Sequence, residues 1–501
     1  MNAGHILALD QGTTSSRAIV FDREARVVAV AQQEYPQTYP SPGHVTHDAE
    51  DIWASQLATA RAVLQAVPGG AAGIAAIGIA NQRETTVVWD RATGSPVAPA
   101  IVWQSRITAE RCAELREAGH ERRVRALTGL PLDAYFSGPK IAHILDADPT
   151  LRARGEAGEL ACGTVDSFLA WRLSGGRAHI TDVSNASRTL LFDIARGRWD
   201  PWLCELMGVP MAMLPEVRSS STPLVETDPT VLGVSLPVAG IAGDQMAATF
   251  GQLCLAPGSA KNTYGTGAFA LLNTGSRAVA SEHGLLTTVL WRLGETGDLV
   301  YALEGAVFVA GAAVRWLRDG LRLIGASADV EALAAGGDRG HGVVVVPAFV
   351  GLGAPHWDPD ARGAILGLTL GSGIEDIALA TVDAMAYQVA DVLEAMALDT
   401  GGRVDVLRVD GGAAVNDGLL QFQADLLRVP VERPRVTETT ALGAAFLAGL
   451  AVGTWASTDE LAGTWRLERR FEPRLALAER DRLVRRWRAA VARARGWAAA
   501  S

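Results

Sequence analysis

Lysine is almost missing from this chain of 501 residues: only Lys140 and Lys261 occur, and arginine carries nearly all of the positive charge. We read that imbalance as a compositional habit of the source genome. A basic surplus is missing as well. The formal net charge of −10 argues against a general nucleic-acid binder, because phosphate contacts need a basic surface. Cysteine is scarce. Cys112, Cys162, Cys204 and Cys254 form no CxxC pair and have no His cluster beside them, which leaves core packing rather than zinc or a disulfide framework. Long apolar runs are absent. The stretch "AGIAAIGIA" (Ala72 to Ala80) is apolar but far too short to span a bilayer, so no stable membrane insertion is expected. The N-terminal residues lack a positive start followed by an apolar segment, so no signal peptide is expected and the chain is read as cytoplasmic.

What is present is globular: 49% hydrophobic and 20% charged residues, in a chain too long for one core. Three strand-like runs come first, His5–Asp10, Arg17–Asp22 and Arg26–Ala31, with gaps short enough for an antiparallel meander. From Asp48, which can cap it, Ile52, Leu57, Ala60 and Leu64 mark the apolar stripe of a helix. Ile74–Ile79 has no polar alternation and reads as a parallel strand covered on both faces. The second half repeats this plan: Ala260–Gly275 is again strand, Gly-Thr-Gly turn, strand. Val382, Met385, Val389, Val392, Leu393 and Met396 form a core stripe on a helix over Ile377–Met396. Leu483, Val484, Trp487 and Val491 do the same within the arginine-rich Glu479–Arg495, whose basic side is read as a solvated face. The class is α/β with mixed sheets, in two related halves divided near residue 250.

Three glycine-rich turns each follow an apolar strand: "LDQGTTSSR" after Leu9, "IAGDQ" after Ile241 and "VDGGAAVN" after Val409. Each sets an acid beside glycine: Asp10, Asp244 and Asp410. Glycine lets backbone N–H groups approach an anion, and the hydroxyls of Thr13, Thr14 and Ser15 add donors. A carboxylate would repel a phosphate there unless a divalent cation lies between them or the acid accepts a proton. One such turn is a weak signal; three at strand ends in both halves are a strong one. No GxxxxGK[ST] loop occurs, nor a GxGxxG at the first strand, and "GLGAP" (Gly351–Pro355) is read as a loop.

"ANQRETTVVWD" places Arg83 and Glu84 just past the buried strand. An Arg next to a Glu is more often an ion pair than a ligand site. At a strand's C-terminal edge the two can instead hold neighbouring hydroxyls of a polyol, Arg donating and Glu accepting. Trp103 and Tyr135 fit either a core or a pocket wall.

With these motifs in place the chain resembles the FGGY carbohydrate kinases, which share the fold of actin and the heat-shock-chaperone ATPase. The resemblance rests on "ALDQGTTSSRA", "NQRETT", "IVWQ", "TVDSFLAW", "TDVSNASRT", "LPEVR", "IAGDQ", "FGQLC", "AKNTYGTG", "YALEGAVF", "VDGGA", "ALGAA" and Gly363–Asp383. "QRETT" and "SNASRT" resemble the members that phosphorylate glycerol more than those acting on xylulose, ribulose or gluconate.

The resemblance implies two actin-like, ribonuclease H-like ATPase domains of mixed sheets flanked by helices, with a cleft between them. Residues 1–250 would carry the glycerol site and the first phosphate loop, and residues 251–501 the nucleotide site. It implies ATP-dependent phosphorylation of glycerol to sn-glycerol 3-phosphate with Mg2+, in a homodimer or homotetramer. Asp244 is similar to the catalytic base, and Arg83, Glu84, Tyr135, Asp244 and Gln245 to glycerol-binding positions, with Trp103 and Phe269 as apolar walls. Thr13, Thr14, Ser15 and Arg17 resemble the first phosphate loop, and Asp10 the acid that helps place magnesium through water. Thr266, Gly311, Gly412 and Asn416 resemble the remaining nucleotide contacts.

The chain departs from that pattern in four places. Arg315 stands beside the nucleotide where many relatives have Gln, and its long cation can reach phosphate. His143 stands where Trp is usual, which affects packing. The run "ETDPTVLGVSLPV" lacks the Gly-Gly-Lys-Gly-Thr-Arg loop with which enteric relatives bind fructose 1,6-bisphosphate, and the phospho-His segment of some Gram-positive relatives has no match. Three other functions are weighed against this one. They are a ketose or other polyol kinase of the same fold, an actin-like ATPase working by conformational change, and a ribokinase-type enzyme. The last lacks an early hydroxyl-rich hairpin, and the second has no need of "QRETT" or Trp103.

Overall fold

Largely apolar strands build two main sheets, and the described residues are 4–500 of a computed structural model. The first sheet holds β1 (His5–Gln11), β2 (Ser15–Phe21), β3 (Val27–Glu34), β4 (Ile74–Asn81), β5 (Ser221–Glu226) and β6 (Pro237–Gly243). Their order is β5-β6-β4-β1-β2-β3. The expected meander is β1–β2–β3, antiparallel throughout. β4 lies between β1 and β6 and is parallel to both, which is why its sequence carries no polar alternation. β5 closes the edge antiparallel to β6.

The second sheet holds β7 (Ala260–Tyr264), β8 (Ala268–Gly275), β9 (Leu286–Arg292), β10 (Leu299–Val307), β11 (Leu407–Asp410), β12 (Val431–Pro434) and β13 (Leu467–Phe471). The order is β9-β10-β8-β7-β11-β12-β13. From β10 to β13 the pairs run antiparallel, antiparallel, parallel, parallel, antiparallel. Read from β3 to β5, the first sheet gives the same series. The halves are therefore two copies of one plan, with β9 as an added edge strand.

Helices cover both sheets. They are α1 (Ala49–Ala66), α2 (Val165–Leu173), α3 (Asp244–Gly251), α4 (Gly311–Asp319), α5 (Ile374–Thr400), α6 (Asp417–Leu427), α7 (Thr439–Ala451) and α8 (Leu477–Ala494). Asp48 caps α1 as expected, its carboxylate accepting from Glu50 N at 2.9 Å. One face of the first sheet offers Leu7, Leu9, Val20, Ile77 and Ile79 to α1 and α2. The other face is small, with Ala8, Ala76, Ala80, Ala239 and Ala242, and meets α3 and α7. α5, α6 and α8 pack on the outer face of the second sheet. The stripe on α8 is buried there, and Trp487 stacks on Tyr387 of α5 with ring centroids 5.1 Å apart.

α7 comes from the second half of the chain yet rests on the first sheet. It can do so because glycine removes the side chain at the contact. A Cβ on Gly78 would sit 2.1 Å from Ala444 O, and one on Gly443 1.8 Å from Ala247 O. With α3, which also touches the strands of the second sheet, α7 fills the space between the sheets. All four cysteines are buried and free, and no helix among the described residues is long and apolar enough to cross a membrane.

Candidate active site

Both strand–turn–strand hairpins open toward the same region, where β4 and β6 also end. The first turn is closed by Gly12 N donating to Ser15 O at 3.0 Å. Thr14 is exposed, and Thr13 and Ser15 are partly so. The fourth hydroxyl of the run turns inward: Ser16 is fully buried and pairs with Ser55 of α1 at 2.9 Å. Gln11, Gln82 and Tyr35 brace the turn from behind, Gln11 Nε2 reaching Tyr35 Oη at 2.6 Å and Gln82 Nε2 reaching it at 3.0 Å.

Asp10 lies beside this turn near the end of β1. Burial pushes its carboxyl up to about 7; Arg17 pulls the other way, and the nearby acids Asp244 and Glu438 push further in the same direction as burial. Arg17 is held by Glu438, immediately before α7, at 2.5 Å. Among the described residues no three His, Cys, Asp or Glu side chains converge as a ready metal cage. The hard carboxylate oxygen of Asp10, with the acids Asp244 and Glu438 nearby, nevertheless fits Mg2+, which keeps several waters and takes few protein ligands.

The second turn, Gly265–Thr266–Gly267, is tied to the start of α4. Gly311 N donates to Gly265 O at 3.0 Å, and Ala312 N to Thr266 O at 3.0 Å. Arg315, on the exposed side of α4, donates from Nη2 to Thr266 Oγ1 at 2.9 Å and forms no salt bridge within 4.0 Å among the described residues. The third turn follows β11, which pairs in parallel with β7 as far as Thr263 and Asp410, so Gly412 emerges next to the second turn. Asn416 caps α6, its Oδ1 accepting from Leu419 N at 2.8 Å.

Between the two turns lies a cluster of charged side chains flanked by aromatic rings, with the Arg83 guanidinium 5.8 Å from the Phe269 ring centroid. Trp103 meets Tyr135 edge-on at 5.8 Å between centroids and Phe269 at 6.4 Å. Trp103 Nε1 donates to Thr13 Oγ1 at 3.0 Å, joining this wall to the first turn. Asp244 opens α3 at the end of β6, where its carboxylate accepts from Gln245 N at 2.7 Å. Its Oδ1 is 3.2 Å from Arg83 Nε. Burial raises the Asp244 pKa, opposed by Arg83 and reinforced by Glu84.

Arg83 and Glu84 are brought to this cluster, but they are not each other's partners: their closest ionic approach is 4.0 Å. Arg83 forms a fork with Glu304 of β10, Nη1 to Oε2 at 2.6 Å and Nη2 to Oε1 at 2.8 Å. Arg188 Nε donates to Glu84 Oε1 at 2.6 Å, and its guanidinium also lies 3.3 Å from Glu304. All four side chains are buried. Burial alone would raise the Glu304 pKa, but Arg188 and Arg83 hold it down at about 2. Glu84 adopts a left-handed backbone, φ 59°, uncommon for a residue with a side chain. Its carbonyl oxygen accepts from Lys140 Nζ at 3.1 Å and Ser137 Oγ at 3.2 Å. The other lysine, Lys261, donates to Gln245 Oε1 and, at 2.8 Å, to Thr263 Oγ1.

The structure thus brings Arg83, Glu84, Trp103, Tyr135, Asp244 and Phe269 into one cluster beside the first two glycine-rich turns, with Gln245 next to Asp244 and bonded through Oε1 to Lys261. Sequence reasoning missed Glu304, Arg188, Lys140, Lys261 and Glu438. Glu304 had a signal, being the one acid in the otherwise apolar strand "LVYALEGAV". The lysines had another, as the only two in the chain.

Comparison with known proteins bears on this arrangement. The models for the FGGY family of carbohydrate kinases match residues 5–251 (N-terminal domain) and 260–452 (C-terminal domain). A glycerol kinase of Deinococcus radiodurans is 57% identical over 493 residues, which is 98% of each chain. One of Symbiobacterium thermophilum is 56% identical over the whole of both chains. A crystal structure of Plasmodium falciparum glycerol kinase with ADP superposes with a TM-score of 0.91 at 33% identity, covering 98% of each chain.

Proposed function

The chain belongs to the FGGY family of carbohydrate kinases, and from that premise we propose that it transfers the γ-phosphoryl group of ATP to glycerol, giving sn-glycerol 3-phosphate and ADP. The observation that carries this reading is the side-chain cluster between the two turns. Aromatic walls from Trp103, Tyr135 and Phe269 enclose Arg83, Glu84 and Asp244, and the Trp103 indole is hydrogen-bonded to the Thr13 hydroxyl of a phosphate turn. A small polyol would have its carbon chain against the rings and its hydroxyls on an arginine donor and a glutamate acceptor. Gln245 contributes an amide to the same cluster.

Asp244 accepts the proton of the terminal hydroxyl as that oxygen bonds to the γ-phosphorus. The bond from phosphorus to the β,γ-bridging oxygen breaks, and ADP leaves with the electron pair. The transition state of such transfers is loose, so the base acts late and much of the catalysis is positioning. Thr13, Thr14, Ser15 and Arg17 hold phosphate oxygens from the first half. Thr266, Gly311, Arg315, Gly412 and Asn416 hold the nucleotide from the second, with the chain divided near residue 250. Arg17 reaches phosphate by leaving Glu438. Asp10 would hold Mg2+ through water, and the ion would neutralise charge on the phosphates. Closure of the two halves excludes water, which protects ATP from hydrolysis. Self-association as a homodimer or homotetramer is carried over from the family and is read by sedimentation.

The test is ADP release with glycerol, xylulose, ribulose, gluconate or no acceptor. Release stimulated by glycerol well above the others is expected. A rate independent of acceptor would instead make the chain a conformational ATPase of the same fold.

A further inference from the structure

The geometry points to Glu304 and Arg188 as positioning residues of the acceptor pocket, Glu304 orienting Arg83 and Arg188 orienting Glu84. The inference rests on the glycerol-phosphorylating reading and names what makes that pocket selective. Arg83 has five N–H donors in a fixed fork. Glu304 engages both terminal nitrogens, at 2.6 and 2.8 Å, so the edge bearing Nε is the one left facing Asp244 and the pocket. Arg188 acts on the neighbouring acid in the same manner. It engages Glu84 Oε1 at 2.6 Å, and Oε2 accepts no hydrogen bond among the described residues. Each substrate-facing side chain is thus locked on its rear side by an opposite charge and presents one defined group forward. The locks join, since the Arg188 guanidinium also lies 3.3 Å from Glu304.

The origin of these residues matters. Arg83 extends from the first sheet, whereas Glu304 stands on β10 of the second. Neither sheet alone can orient the Arg83 fork, so the acceptor pocket takes its final geometry only when both halves are in register. A misplacement of about 1 Å at a reacting group costs on the order of 100-fold in rate. A charge-assisted fork is the kind of contact that prevents it.

The test compares wild type with Glu304→Gln, Glu304→Asp and Arg188→Lys in the full-length chain. Four quantities are read: kcat, KM for glycerol, KM for ATP, and glycerol binding without nucleotide by calorimetry. For Glu304→Gln, kcat/KM for glycerol should fall by about 100-fold and glycerol binding should weaken, while KM for ATP holds. Glu304→Asp, which keeps the charge, should recover part of the loss. Arg188→Lys keeps charge but loses the fork, and should lose glycerol selectively through Glu84. A folded Glu304→Gln enzyme with unchanged glycerol constants overturns the proposal, as does an equal loss for glycerol and ATP, the mark of a merely structural role. Should Glu304→Gln not fold, unchanged glycerol constants in Arg188→Lys overturn it equally. Wild-type ADP release that ignores glycerol would refute the functional reading instead, and the glycerol-binding comparison would still decide the positioning roles.

Discussion

Asp244 and Asp10 are both acids at strand ends close to glycine, and the different tasks proposed for them go with different surroundings. Asp244 faces Arg83 at 3.2 Å and the acceptor pocket. Replacing it with Asn keeps the shape and removes the proton acceptor. We expect kcat to fall by about 100- to 10,000-fold with glycerol affinity nearly unchanged, measured by initial rates and calorimetry; near-normal kcat would refute the base assignment. Asp10 is pushed up to about 7, chiefly by burial. The folded chain therefore holds a proton there that an unfolded chain releases near pH 4. The stabilisation this contributes is present at low pH and lost as pH rises through 7. A cation favours the ionised form, so the sign reverses on binding. Mg-nucleotide binding should expel about one proton below pH 7 and weaken by up to about tenfold for each pH unit below it. Calorimetry in buffers of different ionisation enthalpy reads the proton, and Asp10→Asn should abolish it.

At the scale of elements, α7 decides how the halves meet. It is supplied by the second half, lies on the alanine-rich face of the first sheet, and begins next to Glu438, the partner of Arg17 in the phosphate turn. Its close seating requires a missing side chain at Gly443, where a Cβ would come within 1.8 Å of Ala247 O on α3. Backbone cannot yield there as a flexible side chain would. Gly443→Ala should destabilise by about 1–3 kcal/mol, seen as a lower thermal midpoint. Because α3 carries Asp244 and Gln245, kcat should fall with it. An unchanged midpoint would mean that α7 can shift freely, against the packing described.

For the molecule as a whole, the lysine shortage has a chemical consequence. Both lysines are completely buried. Burial pushes Lys140 down to about 7 and Lys261 down to about 8, so both amines are partly neutral and nucleophilic near neutral pH. Access outweighs reactivity. An amine-acylating reagent should leave both unmodified in the native protein and modify both after denaturation, as read by peptide mass spectrometry. Native labelling of either would contradict their placement behind the acceptor pocket and the second phosphate turn.

Local chemistry made much of this protein legible. Apolar alternation with glycine and threonine between strands marks a hairpin wherever it occurs, so both phosphate turns, the meander and the strand sandwiched between parallel neighbours could be read from residues adjacent in sequence. The stripes on α5 and α8 followed from helical period alone. Arg83 and Glu84 stand out in the sequence by their strand-end position, but adjacency does not reveal their partners. Arg83 bonds to Glu304, 221 residues away, and Glu84 to Arg188, 104 residues away. Charge pairing acts over a few ångströms in space and leaves no periodic trace along the chain. Only tertiary packing, of the two sheets about α3 and α7 for Arg83 with Glu304 and of the first half on itself for Glu84 with Arg188, could decide which arginine meets which acid.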